Sequence, residues 1–229
     1  MDTIPPGMTE QQASLLMKLL DLSPHQKVVD LGCGKGRHAL LLSKAGMRVT
    51  ALDFCTAYLE ELKKKSASEG LQLEILEQDM RLWEEKDTYD AAYMMFTSFG
   101  YFSDSENEKV ILNVSSSLKK KGKFVIDIEN RDYILKFFIH EKWREKETGI
   151  LLERHKFFPL SSVLTTKRIL VKPTGEQKQS FRRYRLYSAH EIIALANKAG
   201  FDLTDSLGDY SGIPYQINSP RIIFGFQKR

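Results

Sequence analysis

The stretch Lys27–Phe54, KVVDLGCGKGRHALLLSKAGMRVTALDF, decides how the rest of the chain is read. It opens on a buried strand, Val28-Val29-Asp30-Leu31, and turns through Gly32-Cys33-Gly34-Lys35-Gly36. The apolar spacing predicts a helix from Arg37 to Lys44, with Ala39, Leu40, Leu41 and Leu42 on its buried side and Gly46 ending it. A second strand, Arg48 to Leu52, finishes at Asp53. Strand, glycine turn, helix, strand and acid within about 30 residues make one βαβ unit. Glycines remove Cβ atoms where the backbone turns sharply or a ligand comes close. The start of the helix offers free N–H groups. A carboxylate ending the second strand can accept both hydroxyls of a ribose. The unit suits an adenosine-containing ligand.

Glycine spacing then selects among such ligands. A dinucleotide fingerprint needs G-x-G-x-x-G, and Arg37 occupies the place of its third glycine. No G-x-x-x-x-G-K-[ST] nucleotide-triphosphate loop is present. Asp30-Leu31-Gly32-Cys33-Gly34-Lys35-Gly36, followed by Asp53, instead resembles the first motif of the class I S-adenosylmethionine (SAM)-dependent methyltransferases. The resemblance implies an α/β fold, a Rossmann-like doubly wound seven-stranded sheet. It also implies SAM as cofactor, with S-adenosylhomocysteine as its product. The cofactor-binding positions it implies here are Asp30, Gly32, Cys33, Gly34, Gly36, Asp53 and Phe54. The plain alternative is a structural glycine turn in an unrelated α/β protein.

Downstream, Thr56 to Ser68 reads as a helix capped by Gly70, and Leu71 to Leu76 as a third strand leading to Gln78-Asp79-Met80. In the family resembled, an acid at this place hydrogen-bonds the adenine amino group and the next residue's backbone meets the ring; Asp79 and Met80 match. The bland alternative for Asp79 is a helix N-cap before Trp83. Tyr89 to Phe96 is apolar on both faces, as a central parallel strand should be. Ligands bind at the carboxyl ends of such strands. By resemblance Met95, Phe96 and Ser98 flank the sulfonium there, and Tyr101 receives the acceptor; the competing expectation for Phe96, Phe99 and Phe102 is core packing.

A helix is expected from Asp104 to Lys119, with Lys119-Lys120-Lys121 suiting the negative end of its dipole. Strand five, Lys123 to Ile128, ends in Glu129, which faces the same crevice as Tyr101 and is paired with it as a candidate catalytic residue. A short helix, Tyr133 to Ile139, follows. The pattern then changes. Ile150 to Phe158, Val163 to Val171 and Lys178 to Tyr187 are extended and alternating, separated by Pro159-Leu160-Ser161-Ser162 and Pro173-Thr174-Gly175-Glu176. They read as an antiparallel β insertion, which resembles the lid of small-molecule and peptide N-methyltransferases. The domain reading is residues 1–142 with 188–229 as the SAM-binding unit and 143–187 as the lid. Phe181-Arg182-Arg183-Tyr184-Arg185 interleaves arginine and aromatic residues, either to hold an anionic acceptor or to blunt a sheet edge. Arg183 and Tyr184, with Tyr101, Tyr210 and Arg221, are the candidate substrate-binding residues. Ser188 and Glu191 form a capping box for a helix ending at Gly200, and the chain closes on strands from Phe201 and Ile222.

At the N-terminus Met1 to Met8 is expected to be a loose leader, with Thr9 and Gln12 as a capping box for a helix carrying Leu15, Leu16, Leu19 and Leu20. The 229 residues suffice for one α/β domain with an insertion, and a net charge of +4 argues against nucleic acid as the partner. Cys33 and Cys55 lack metal-ligand spacing, so no metal is expected, and two lone thiols suit a reducing compartment. With no secretory signal or membrane-spanning run, the expectation is a cytoplasmic protein, monomer or homodimer, without membrane contact. The reaction expected is transfer of the sulfonium methyl to a nitrogen or oxygen of a small molecule or peptide. The competing expectations are an RNA or protein methyltransferase, and a SAM-binding protein without transfer. Met95-Phe96-Thr97-Ser98 stands where an Asn-Pro-Pro-Tyr-type amino-methylation motif would be.

Overall fold

The computed structural model describes residues 4–229, so Met1–Thr3 of the expected leader lie outside the described residues. In chain order the elements are α1 (Met8–Leu19), β1 (Lys27–Leu31), α2 (Arg37–Lys44), β2 (Arg48–Asp53), α3 (Thr56–Ser68), β3 (Glu74–Glu77), β4 (Tyr89–Met94), α4 (Asp104–Ser117), β5 (Leu118–Glu129) and α5 (Arg131–Lys136). Then come β6 (Glu141–Lys146), β7 (Gly149–Phe158), β8 (Val163–Val171), β9 (Gln177–Arg185), α6 (Ala189–Lys198), β10 (Phe201–Leu207) and β11 (Arg221–Lys228). Among the described residues a seven-stranded sheet has the order β10-β11-β5-β4-β1-β2-β3. β1 pairs in parallel with β2 and with β4, while β11 runs antiparallel to both β5 and β10. The strand order reverses between β1 and β4, which puts a crevice at their carboxyl ends.

Alternation places the core on both faces of this sheet. Val29 and Leu31 join Phe124, Ile126 and Phe224 under α4 and α6, whereas Val28 joins Val49, Ala51 and Tyr93 under α1, α2 and α3. The capping boxes at Ser103 with Glu106 and at Ser188 with Glu191 are both formed. Each contributes on the order of 1 kcal/mol to starting its helix. No helix among the described residues is long and apolar enough to cross a membrane.

Several boundaries differ from the sequence expectation, each for a local reason. Gly7 caps α1, and Thr9 and Gln12 lie inside the helix, where both accept hydrogen bonds from Arg37 instead of capping. β3 starts at Glu74, since its pairing with β2 begins at Thr50. β4 stops at Met94, and Phe96 and Thr97 follow with left-handed φ of 58° and 64°. Lys119–Gly122 is no helix cap: it belongs to β5 as a shift in register against β4, with Lys119 bound to Asp90. α5 starts earlier than expected because Asn130 caps it.

The insertion is a separate sheet of four strands, β6-β7-β8-β9, rather than three. The first, Glu-Lys-Trp-Arg-Glu-Lys, carries almost no apolar alternation and forms by pairing with β7. β9 is an edge strand, as its charge suggested. Leu164, Tyr184 and Leu186 pack with Ile134, Phe138 and Phe157, seating the sheet on α5. Arg185 N donates to Gly100 O at 2.7 Å, tying the returning chain to the segment after β4.

Candidate cofactor and acceptor site

The glycine turn is held from below. Gly32 N and Cys33 N donate to Leu52 O at 2.8 and 3.0 Å, which joins the end of β1 to the end of β2. Gly36 has φ of 70°, and a Cβ there would lie 2.3 Å from Leu62 Cδ1 of α3. Gly34 also sits at positive φ, but a Cβ there would meet nothing within 4 Å. The first glycine allows α2 and α3 to pack; the second borders open space. Asp53 accepts from Gly34 N at 2.7 Å and from Cys55 N at 2.9 Å, so its carboxylate is fixed at the rim of that space. Phe54, beside it, is 71% exposed. An open backbone cradle, a fixed carboxylate and a bare aromatic face are what an adenosyl group requires, and the residues present fit SAM.

Asp30 and Cys33 lie deeper than the sequence suggests. Asp30 is buried, and loss of hydration pushes its carboxyl up to about 7, against the opposing effects of the Tyr93 hydroxyl and Arg37. Burial likewise pushes the Cys33 thiol well up, so it is not a nucleophile. His38 is driven down to about 3 by burial and stays neutral; its Nε2 is 2.9 Å from Gln12 Oε1. Gln12 therefore receives both His38 and Arg37 and anchors α1 to the turn.

The end of β4 is built around a residue the sequence reading did not name. Asp127, fully buried on β5, accepts from Phe96 N at 2.8 Å, from the Tyr210 hydroxyl at 2.7 Å and from Arg221 Nε at 2.5 Å. Arg221 also donates to Thr97 Oγ1 at 3.0 Å. This carboxylate clamps the left-handed Phe96–Thr97 turn and holds Phe96 out, 48% exposed, between the guanidiniums of Arg37 at 4.9 Å and Arg221 at 5.6 Å. Tyr210 and Arg221, expected to touch substrate, are thus committed to supporting this turn. Met95 is buried beneath it, and Ser98 Oγ donates to Met95 O and Gly32 O, closing the turn onto the glycine loop. An acid inside the apolar run Phe124-Val125-Ile126-Asp127-Ile128 was the available signal, since a buried carboxylate needs partners.

The Asp79 carboxylate is already engaged, and a turn rather than a helix follows it. It accepts from Arg81 N, Nε and Nη2, the last at 2.6 Å, and this pairing holds its carboxyl below the usual range. Arg81 in turn binds Glu106 and stacks on Phe102 at 4.4 Å. Met80 is buried, its Cε 3.4 Å from where a Gly32 Cβ would lie.

On the other side of the crevice the main sheet meets the insertion. Glu129, ending β5, accepts from Arg182 Nη2 at 3.0 Å and from the Tyr184 hydroxyl. The Arg182 guanidinium stacks 4.0 Å from the Tyr184 ring, and Tyr184 lies 5.8 Å from the ring of Tyr101. Desolvation raises the Tyr101 phenol, so it stays protonated at neutral pH. The structure therefore brings Tyr101, Glu129 and Tyr184 together as expected. Arg183 points away and is exposed, whereas Arg182 occupies the crevice side. Strand alternation had already put Arg182 with Tyr184 and Arg183 on the other face.

Comparison with known proteins agrees with this geometry. A methyltransferase-domain family model matches residues 28–122, from β1 into β5. The cypemycin N-terminal methyltransferase of a Streptomyces species is 32% identical over 210 residues, covering 88% of this chain and 83% of that protein. The chain is similar in fold to the CcbJ methyltransferase from Streptomyces caelestis, with a TM-score of 0.88 at 20% identity over 98% of this chain and 90% of that one. It is also similar to SAM-bound CalS10, an amino pentose methyltransferase from Micromonospora echinaspora, with a TM-score of 0.71 at 16% identity over 96% and 90% of the two chains.

Proposed function

The chain belongs to the class I SAM-dependent methyltransferases, and from that premise we propose that it methylates a nitrogen or oxygen of a small molecule or peptide held between the main sheet and the inserted one. The observation that carries the reading is the meeting of Glu129 and Tyr101 with Arg182 and Tyr184 across the crevice. The insertion reaches the end of β5 through Arg182 and Tyr184 and is seated on α5. The cypemycin enzyme and the amino pentose enzyme, by their names, act on the N-terminus of cypemycin and on an amino pentose.

SAM supplies an activated methyl whose leaving group is a neutral thioether. The chain's own task is alignment in a site closed to water, which lowers the barrier by several kcal/mol. In this reading Asp53 and Gly34 hold the ribose, Asp79 and Met80 the adenine, and Phe96 with Ser98 the sulfonium end. Residues 1–142 and 188–229 form that cofactor unit, and residues 143–187 act as lid. Tyr101 donates a hydrogen bond to the acceptor, and Glu129 takes its proton where the acceptor arrives protonated.

The test is transfer of labelled methyl from SAM to a cell extract separated by size. Label is expected in the small-molecule and peptide fraction. Label confined to RNA or folded protein would overturn the proposed acceptor class.

A further inference from the structure

The inserted sheet has two free edges, and they differ. β6 forms one, and charge occupies all its positions but that of Trp143, which suits an edge that must stay unpaired. β9 forms the other. It has no proline, and it pairs with β8 along its whole length without a shift in register. Arg182 and Arg185 do not guard this edge, because they are drawn into ion pairs with Glu129 at 3.0 Å and with Asp104 at 2.6 Å. Two bonds fix the direction of its backbone groups. Arg185 N donates away from β8, to Gly100 O at 2.7 Å, and Leu186 N donates to the opposite side, to Ser162 O at 2.8 Å. In an antiparallel ladder alternate residues turn both groups the same way. Arg183, Phe181 and Gln179 therefore present N–H and C=O to the free edge, and among the described residues those groups have no hydrogen-bond partner. All three residues are exposed. The open groups of Arg183 lie between Tyr184 and Arg182, the two residues that meet Glu129, and Tyr184 faces Tyr101. The edge thus runs outward from the acceptor crevice.

We propose that the acceptor is the N-terminal amine of an extended peptide, which adds to β9 as an antiparallel strand. This rests on the acceptor site lying at Glu129 and Tyr101. The antiparallel direction puts the first residue of the peptide opposite Tyr184, at the Gly100 end. Its positions 2, 4 and 6 then exchange backbone bonds with Arg183, Phe181 and Gln179, across the usual strand spacing of about 4.8 Å. Their side chains share the outer face with those residues. Arg183 favours an acid at position 2, and Phe181, 68% exposed, favours an apolar residue at position 4. Gly100 O already occupies the next place on the edge, at Arg185 N, so the chain enters by its end and not by an internal residue. The terminal ammonium gives a proton to Glu129, and the freed lone pair takes the methyl as the thioether leaves neutral. Paired donors and acceptors at every second residue are what a peptide backbone supplies and a compact metabolite does not.

The test uses the full chain with SAM, whose binding is first checked by calorimetry, and follows methylated product by mass spectrometry. The probes are Ala-Glu-Ala-Phe-Ala-Ala amide, two forms of it with a methyl on the backbone nitrogen of position 4 or of position 5, and alanine amide. The hexapeptide should exceed alanine amide in kcat/KM by at least about tenfold. The methyl at position 4, whose N–H faces β9, should lower kcat/KM about five- to tenfold, the size of one hydrogen bond. The methyl at position 5, whose N–H faces away, should change it by less than about twofold. Phe181→Pro removes an edge N–H and no bond to β8, so it should slow the hexapeptide and leave alanine amide unchanged. The peptide series on the parent stands by itself if that variant does not fold. Equal transfer to the hexapeptide and alanine amide, equal effects of the two backbone methyls, or no transfer to the hexapeptide would overturn the proposal. Where SAM binds and small molecules of a cell extract are labelled but the hexapeptide is not, this inference alone falls. Where SAM binds and no fraction of the extract is labelled, the proposed function falls with it.

Discussion

Replacing Asp127 by Asn removes one charge and barely changes shape, yet it should be among the most costly single changes in the chain. Asp127 is fully buried, and its Oδ1 accepts from Arg221 Nε while Oδ2 accepts from Phe96 N and the Tyr210 hydroxyl. Asparagine keeps one acceptor and presents an NH2 group to donors on the other side. The Arg221 side chain, 15% exposed, then stays buried without its counter-charge. Breaking a buried ion pair from one side costs about 3–5 kcal/mol. For a chain of this size that lowers the melting temperature by roughly 6–20 °C. The left-handed Phe96 and Thr97 lose their anchor as well, and such conformations cost about 1–3 kcal/mol each unless held. Binding of S-adenosylhomocysteine should therefore weaken even at temperatures where the variant is folded. Urea unfolding followed by circular dichroism gives the stability change, and calorimetry gives the affinity. Asp127→Asn combined with Arg221→Met should recover much of the loss, because the orphaned charge is gone. A single variant that loses less than about 1 kcal/mol, or a double variant whose losses simply add, would show that the clamp is not an energetic unit.

Three further outcomes follow from the same geometry. Asp53→Ala should weaken SAM binding by about 1.5–3 kcal/mol, the scale of charge-assisted hydrogen bonds, and Asp79→Ala by less, because Arg81 already occupies that carboxylate; unchanged affinity in a folded Asp53 variant would remove Asp53 from the ribose. The Asp30 carboxyl is raised in the folded state from 3.8 to about 7, so the fold binds its proton more tightly than the unfolded chain does. Its contribution to stability is therefore full below about pH 4 and is lost as the pH rises to about 7, by an amount on the order of a few kcal/mol; relative to Asp30→Asn the parent should lose stability across that window, and parallel pH profiles would refute the assignment. Replacing residues 141–184 by a Gly/Ser linker should leave a folded domain that binds SAM but transfers methyl to its acceptor orders of magnitude more slowly. Circular dichroism checks the fold, and transfer at the parental rate would mean that the acceptor is held elsewhere.

Much of the fold was legible because its signals are local. Strand alternation, Gly32-Cys33-Gly34-Lys35-Gly36 and the capping box at Ser188 act through neighbours a few residues away, and α2, α3 and the ends of β1 and β2 fell where expected. β6 was invisible because its charged sequence becomes a strand only when β7 supplies hydrogen bonds. Asp127 was missed for a related reason. Its partners Phe96, Tyr210 and Arg221 are 31, 83 and 94 residues away, and no periodicity joins them. Thr9 and Gln12 had the spacing of a capping box, but the Arg37 guanidinium competed for their oxygens and the helix began earlier. Beyond the cofactor turn, strand ends placed Glu129 and Tyr101 at one crevice, and the structure brings Tyr184 to them. The choice between Arg182 and Arg183 depended on which face of β9 turns to the main sheet, a property of the packing of two sheets rather than of one strand.

Ligand selection by the turn from Asp30 to Gly36 with Asp53 is the point on which everything else depends, and calorimetry of the full chain with SAM, S-adenosylhomocysteine, NAD and ATP measures it directly. The geometry predicts that SAM and S-adenosylhomocysteine bind, and that NAD and ATP bind far more weakly, because Arg37 stands where a dinucleotide site needs glycine. Tight binding of NAD with none of SAM would contradict the account.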